Sequence, residues 1–130
     1  MKNLFSVGNT KFWSKTVTEN DIASFTDDKV HPVYSTFALG RDAEWACRQF
    51  VLEMKEAHEE GIGTFLTIQH LSPALVGQKV EFEVTICELK GNAIHCNFTA
   101  RVGNRVIATG TQGQKILTKE KINSIFQSLQ

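Results

Sequence analysis

The stretch that decides the fold runs from Thr36 to His70. It opens after Val33-Tyr34-Ser35, passes through Ala43-Glu44-Trp45-Ala46-Cys47 and closes on Thr67-Ile68-Gln69-His70. From Phe37 to His58 apolar residues recur at about 100° per residue, the period of a helix that packs one face on a core. Gly61 and Gly63 are predicted to end that helix and start a strand. The stretch also holds a hydroxyl, a carboxylate and an imidazole, so it is where we look for chemistry.

Strand patterns dominate on both sides of this helix. Thr10 to Val17 is a plausible strand, and Thr18 with Asp21 resembles a capping box that predicts a short helix through Phe25. Residues 26–32 have turn composition. Four later strands are predicted at Thr64–Leu71, Lys79–Leu89, Ala93–Val102 and Arg105–Leu117. Thr118 is predicted to cap a last helix. The fold class is α+β: a five-stranded antiparallel sheet around one long central helix, plus a C-terminal helix.

Composition limits the function classes. The chain has 130 residues, which predicts a single domain over 1–130. Fourteen basic and fourteen acidic residues cancel, so no nucleic-acid or anionic-membrane surface is indicated. No apolar run is long enough for a membrane span, and the N-terminus has no signal-peptide pattern, so we expect a cytoplasmic protein with no membrane partner.

The three cysteines are interpreted as reduced and structural. Cys47, Cys87 and Cys96 lack C-x-x-C spacing, and none of the histidines has metal-ligand spacing, so no metal site is predicted. Matching the apolar faces of the two strands around Gly91-Asn92 turns Cys96 inward and Cys87 outward.

The motifs resemble a known family. One strand, a long helix and a hairpin-connected sheet resemble the hotdog fold. Within it, Val33-Tyr34-Ser35-Thr36, Glu44-Trp45-Ala46-Cys47, Gly63-Thr64, His70-Leu71 and Gly110-Thr111 are similar to the signature of the fluoroacetyl-CoA thioesterase-like branch. The resemblance implies hydrolysis of a small acyl-CoA at a dimer interface, with Thr36, Glu44 and His70 as catalytic residues and no cofactor besides the CoA of the substrate.

Two positions depart from the branch pattern. Gln112-Gly113-Gln114 replaces the usual His-Glu-Arg after Gly110-Thr111, which affects expected contacts to substrate or CoA. Phe37 replaces a proline common after the threonine, which affects the acyl pocket. Phe37 and Gly63 are the candidate substrate-binding residues.

The chemistry and the spacing can be tested against each other. Thioester hydrolysis needs a base or nucleophile, a donor to the oxyanion and help for the departing thiolate. Glu44 at the margin of the apolar stripe suits the first role. His70 shares strand parity with Leu66 and Ile68 and should face the helix. Eight helical residues rise about 12 Å, so Thr36 and Glu44 meet only if Thr36 lies on a bent segment or a second subunit completes the site.

Each candidate also has a structural explanation. Thr36 fits a helix N-cap, Glu44 an exposed residue paired with Arg41 or Arg48, and His70 a hydrogen-bonded core histidine. A binding protein without catalysis, for an acyl-CoA or another small ligand, is an alternative function. So is an enoyl-CoA hydratase, because residues 16–25, Asp28 and His31-Pro32 are similar to the entry of MaoC-type enzymes, although their Gly-Asp and Asn-Pro elements are missing.

Overall fold

The computed structural model describes residues 1–25 and 28–130, and the side chains of all of these residues except 24, 25 and 28–30. The strands are β1 (Thr10–Thr16), β2 (Ile22–Phe25), β3 (Asp28–Tyr34), β4 (Glu59–His70), β5 (Lys79–Lys90), β6 (Ala93–Val102) and β7 (Arg105–Thr118). The helices are α1 (Thr36–Met54) and α2 (Lys119–Ser128), and a 3-10 turn covers Glu19–Asp21.

The main sheet is antiparallel and wraps one helix. Its strand order is β1-β5-β6-β7-β4, and every neighbouring pair is antiparallel. Helix α1 buries its apolar stripe, including Leu39, Ala43, Phe50 and Val51, against the inward side chains of the sheet. The predicted five-stranded sheet, central helix and C-terminal helix are therefore confirmed. Neither helix of the described part of the chain has the length and apolarity needed to cross a bilayer.

The segment before α1 differs from the prediction. Thr18 and Asp21 are in contact: the Thr18 N–H and hydroxyl both donate to the Asp21 carboxylate, at 2.9 and 3.0 Å, and the Asp21 N–H donates to the Thr18 carbonyl at 3.0 Å. These hydrogen bonds close only a 3-10 turn, because the residues directly after Asp21 form strand β2, which pairs with β3. Of the predicted turn over 26–32, positions 26 and 27 lie outside the described residues, and positions 28–32 belong to β3.

Both ends of α1 also differ from those predicted from the sequence. Ser35 is the N-cap, because its hydroxyl accepts the N–H of Ala38 at 3.0 Å. At the other end the helix stops at Met54, and Gly61 and Gly63 lie inside β4. The prediction that these glycines end the helix is wrong, since a short turn at residues 55–58 reverses the chain before they are reached.

Strand β4 lies at an edge of the sheet and carries the site. A register shift between Gly63 and Phe65 marks a bulge, which places Gly61, Gly63, Leu66 and Ile68 on the side facing α1. The side chains of Phe65 and Leu66 are exposed. An edge with apolar side chains exposed is the kind of strand that pairs with a second chain.

The cysteines face the two directions predicted from strand alternation. Cys96 is buried in the core with Cys47, whereas Cys87 is exposed on the opposite face of β5.

Candidate active site

Thr36 and His70 form the first contact of the site. Thr36 Oγ1 lies 2.9 Å from His70 Nδ1, within hydrogen-bonding distance, and joins the first turn of α1 to the end of β4. Because Ser35 caps the helix, the Thr36 hydroxyl is not used as a cap. The N-cap explanation of Thr36 is therefore wrong, and its hydroxyl is available to the histidine.

His70 has one nitrogen engaged and one without a partner. Its Nε2 atom is buried and has no hydrogen-bond partner among the described residues. Burial lowers the pKa of His70 below its usual value, and the Ser72 backbone only partly opposes that change. The imidazole is therefore neutral at pH 7 and able to accept a proton.

Glu44 lies against the backbone of β4 at Gly63. A Cβ atom placed on Gly63 would overlap Oε1 of Glu44, so the absence of a side chain gives the carboxylate its space. Glu44 is exposed at the margin of the apolar stripe of α1, while Ala43, Ala46 and Cys47 beside it are buried. Gly63 thus presents bare backbone to a carboxylate.

The two arginines that could neutralise Glu44 are engaged elsewhere. Arg41 donates to Asp21 at 2.8 Å and to Asp42 at 3.1 Å. Arg48 donates to Glu60 at 2.7 Å. Within residues 1–25 and 28–130, no salt bridge to Glu44 is formed, so the interpretation of Glu44 as half of a helical surface pair is wrong.

An apolar cavity of about 450 Å³ connects the two parts of the site. Its lining comes from two turns of α1 and from the facing residues of β4. These residues are Thr36, Phe37, Gly40, Arg41, Glu44, Leu66 and Ile68. The Phe37 side chain is 84% exposed at its mouth, so it offers an apolar surface to whatever enters.

Within one chain the three polar candidates do not all meet. Thr36 and His70 are in contact, and Glu44 with Gly63 lies about 12 Å further along the helix axis. Thr36 is the first residue of the regular helix α1, so no bent approach segment shortens that distance. One chain therefore has Thr36 in the cavity lining at one end and Glu44 at the other, with their partners His70 and Gly63 outside that lining.

A buried charge cluster fixes the start of α1 beside the cavity. Lys15 contacts Asp21 at 2.9 Å and Asp42 at 3.2 Å, and the Tyr34 hydroxyl donates to Asp42 at 2.6 Å. Burial would raise the pKa of Asp21, but hydrogen bonds from the Thr18 backbone, Lys15 and Arg41 outweigh it and hold that pKa well below its usual range. Asp21 therefore stays ionised at neutral pH. The cluster connects β1, the 3-10 turn, β3 and α1.

Two glutamines beneath the site were not predicted as interior residues. Gln112 and Gln114 on β7 are 1% and 3% exposed, with Gln114 Nε2 donating to Gln112 Oε1 at 3.0 Å. Neither lines the cavity, so in this chain the expected substrate or CoA contacts of these positions are absent from its lining. Strand alternation with Ile116 would have indicated their inward orientation, because both have the same parity.

Comparison with known proteins gives the family. The family model of the fluoroacetyl-CoA-specific thioesterase FlK matches residues 17–120, which contain every element of the site. The chain belongs to this family. The family that the sequence motifs resemble and the enzyme class, a thioester hydrolase, are therefore confirmed. A search of curated protein sequences finds no significant match.

Solved structures agree with the family on the fold. A hypothetical protein of Thermus thermophilus, described as a thioesterase superfamily member, is 29% identical with a TM-score of 0.91, over 98% of this chain and 94% of that one. A point mutant of FlK is 20% identical with a TM-score of 0.89, over 99% and 100% of the two chains. A hot-dog-like protein of Thermanaerovibrio acidaminovorans is 20% identical with a TM-score of 0.87, over 95% and 92%. The hotdog fold predicted from the sequence is therefore confirmed.

Proposed function

We propose that this family member hydrolyses the thioester of a small acyl-CoA at a site that two copies of the chain form together, with Thr36, Glu44 and His70 as its catalytic residues. The observation that carries the proposal is the pair of half-sites on one cavity. The contact of Thr36 Oγ1 with His70 Nδ1 supplies a neutral proton-transfer pair, and Glu44 supplies an accessible carboxylate. Solved FlK structures that include fluoroacetate with CoA, or acetyl-CoA, support a small acyl-CoA as the substrate class.

The proposed chemistry follows from the properties of these groups. The Glu44 carboxylate either takes a proton from water as the water attacks the thioester carbonyl, or attacks the carbonyl itself and forms an anhydride that water then opens. The C–S bond breaks in either route, and the thiolate must gain a proton. In the first route the proton that Glu44 takes from water passes to neutral His70 and then, through the contact of His70 with the Thr36 hydroxyl, to the leaving sulfur. In the anhydride route the thiolate leaves first, and His70 accepts the proton of the water that later opens the anhydride and passes it to the thiolate. The products are the free acid and CoA.

The first-turn N–H groups of α1 and the backbone at Gly63 are the proposed donors to the carbonyl oxygen. A helix N-terminus presents N–H groups with a favourable dipole for developing negative charge. Gly63 has no side chain between its backbone and the cavity side of β4. Phe37 and Leu66 are the proposed walls of the acyl pocket, since both line the cavity and are exposed.

The second copy is proposed to add its own β4 beside the first. The outer edge of β4 has no strand partner among the described residues, because β4 pairs only with β7. Antiparallel pairing of two such edges, centred on Thr67 and with position 64 bulged as it is against β7, would place position 63 of one copy opposite position 70 of the other. Residues directly opposite in such a pair point to the same face, so Glu44 of one copy would approach the Thr36–His70 pair of the second.

Thiol release over a panel of acyl-CoAs tests the function. We expect the wild-type protein to release CoA from short acyl thioesters. E44Q and H70A should lower kcat by about 100-fold or more, and T36V by about tenfold. T99V is the matched control for T36V, because Thr99 lies on the opposite face of the sheet from α1. Binding without turnover would favour the non-catalytic binder, and hydration of an enoyl-CoA would favour the hydratase.

Light scattering tests the assembly. A dimer is expected at micromolar concentration, and L66K should shift it towards monomer because it places a charge at the proposed contact. A monomeric wild-type protein that turns over acyl-CoA would contradict the shared site and leave the hydrolase function standing.

A further inference from the structure

A row of polar side chains lies between α1 and the sheet, directly beneath Glu44. Glu44 and Arg48 are one helical turn apart on α1, and Gly63 and Gly61 face them from β4. Gln112 and Gln114, two residues apart on β7, lie under the same two glycines. Three elements therefore contribute two residues each to one narrow layer.

An arginine lies at the lower end of the layer. Nη1 of Arg48 and Oε1 of Gln114 lie 3.3 and 3.4 Å from the same point, the position a Cβ on Gly61 would take. A side chain at position 61 would fill the space beside the Arg48 guanidinium and the Gln114 amide oxygen. Arg48 is also fixed from outside by its 2.7 Å bond to Glu60.

The chemistry of the two ends of the layer matches the direction of the hydrogen bond that joins Gln114 to Gln112. Arginine has only donors and an ionised carboxylate has only acceptors. Arg48 therefore faces the oxygen of Gln114, and the nitrogen of Gln114 donates to the oxygen of Gln112 at 3.0 Å. This order leaves Gln112 Nε2, a donor, at the end towards Glu44.

That last donor has no partner within the chain as described. Gln112 Nε2 is buried and unpaired, and the Gln112 side chain is 1% exposed. The Gln112 nitrogen lies 3.9 Å from the position that a Cβ on Gly63 would take. Oε1 of Glu44 lies so close to that position that the two would overlap. An unpaired buried amide donor is costly, so this orientation requires an acceptor nearby. Glu44 is the carboxylate that shares the space above Gly63.

We propose that Gln112 is a positioning residue for Glu44: its amide nitrogen donates to the Glu44 carboxylate during the reaction, and Arg48 and Gln114 hold the amide in that orientation. The inference rests on the proposed function of Glu44 and extends it to residues outside the cavity lining. The exposed carboxylate is free to turn towards the amide, since neither of its arginine neighbours holds it. The neutral amides orient the carboxylate without adding a buried charge next to it.

Q112E tests the donor alone. It keeps the size and the oxygen that accepts from Gln114, but replaces the donor with a carboxylate oxygen. We expect kcat to fall about tenfold to 100-fold with KM within about twofold of wild type, as for the loss of one hydrogen bond to a charged group. Q127E is the matched control, because Gln127 is exposed on α2, away from β4 and the cavity, and receives the same change of charge. Q112M, which removes the donor without adding charge, should also lower kcat at nearly constant KM.

A thermal-stability cycle tests the contact without any activity. Q112E should lower Tm by about 5 °C more in the wild-type background than in E44Q, because E44Q removes the opposing carboxylate and supplies an amide that can donate in the reverse direction. An equal loss of Tm in both backgrounds would overturn the proposal, as would kcat within twofold of wild type for both Q112E and Q112M.

The two failures can be told apart. An inactive wild type, or an E44Q variant as active as wild type, contradicts the proposed function, and the stability cycle then still decides whether Gln112 faces Glu44. An inactive E44Q together with fully active Gln112 variants contradicts the positioning role alone.

Discussion

The Thr36 hydroxyl shows how one neighbouring residue changes an interpretation. From the sequence, a threonine at a helix start is explained by capping alone. Ser35 performs that role through its 3.0 Å contact with the Ala38 N–H, so the Thr36 side chain is directed to His70. Two adjacent hydroxyl residues, Ser35 and Thr36, stand at the start of α1, and propensity cannot say which of them is the cap.

G63A separates the position of Glu44 from the stability of the fold. The added methyl would displace the Glu44 carboxylate, which is exposed and flexible, so we expect kcat to fall at least about tenfold while Tm changes by less than about 3 °C. Kinetics and a melting curve on the same preparation measure both.

G61A is the contrasting variant for that experiment. A Cβ at position 61 would lie 2.6 Å from Cγ1 of Val51, which is fully buried, so the methyl meets packed core. We expect overpacking to lower stability by about 1–3 kcal/mol. Equal effects of G63A and G61A on Tm would contradict the account of Gly63.

The pH profile reports on His70. Burial lowers its pKa from the usual 6.5, so the neutral imidazole persists below that pH and is lost only as the pH falls through the lowered value. We expect kcat/KM to stay level from pH 8 to about 6.5 and to decline at lower pH. The same profile for H70A should lack the inflection due to the imidazole. A decline that begins above pH 7 would contradict a buried, neutral His70.

Helix α1 is anchored at its start by ion pairs, and this was invisible in the sequence. Periodicity predicted the helix and its apolar face, and strand alternation predicted β4 to β7 within a few residues. It did not predict the contacts of Lys15, Asp21 and Arg41, because these residues are distant in sequence and meet only when β1 lies beside α1. The same limit applies to the small β2–β3 sheet. Residues 28–32 have the composition of a turn, so the sequence did not predict that they pair with β2.

D21N tests the anchor. Removing one charge from a buried cluster leaves its cationic partners undercompensated, so we expect a loss of about 2–4 kcal/mol in urea unfolding at pH 7. The pKa of Asp21 is lowered in the fold, so its contribution is present above the ordinary value of 3.8 and lost as the pH falls through the lowered one. The wild-type advantage over D21N should therefore shrink in acid.

E53Q is the control for D21N. Glu53 is half exposed and pairs with Lys11 at the surface, where an ion pair contributes at most about 1 kcal/mol. A D21N protein as stable as E53Q would show that the buried cluster does not anchor α1.

The molecule as a whole explains why the site could be only partly predicted. Sequence motifs predicted Thr36, Glu44 and His70 as catalytic residues, which stays a prediction, and the family match supports the class of reaction. Their arrangement depends on an unpaired sheet edge and on a helix that separates Thr36 from Glu44 by about 12 Å. No local pattern encodes the proposed pairing of two copies of β4, and this pairing and the cytoplasmic location both stay predictions. The position of Gln112 under Gly63 likewise arises only when three elements pack.

Subunit mixing tests the shared site most directly. E44Q and H70A are each expected to be inactive alone. Unfolded together in equal amounts and refolded, they should regain about one quarter of wild-type activity, because half of the dimers are then mixed and each mixed dimer has one site with both Glu44 and His70 intact. Refolding each variant separately and then combining them briefly is the control. Recovered thiol release near this level is the predicted result, and a mixture as inactive as its components, with mixed dimers shown to be present, would contradict the account.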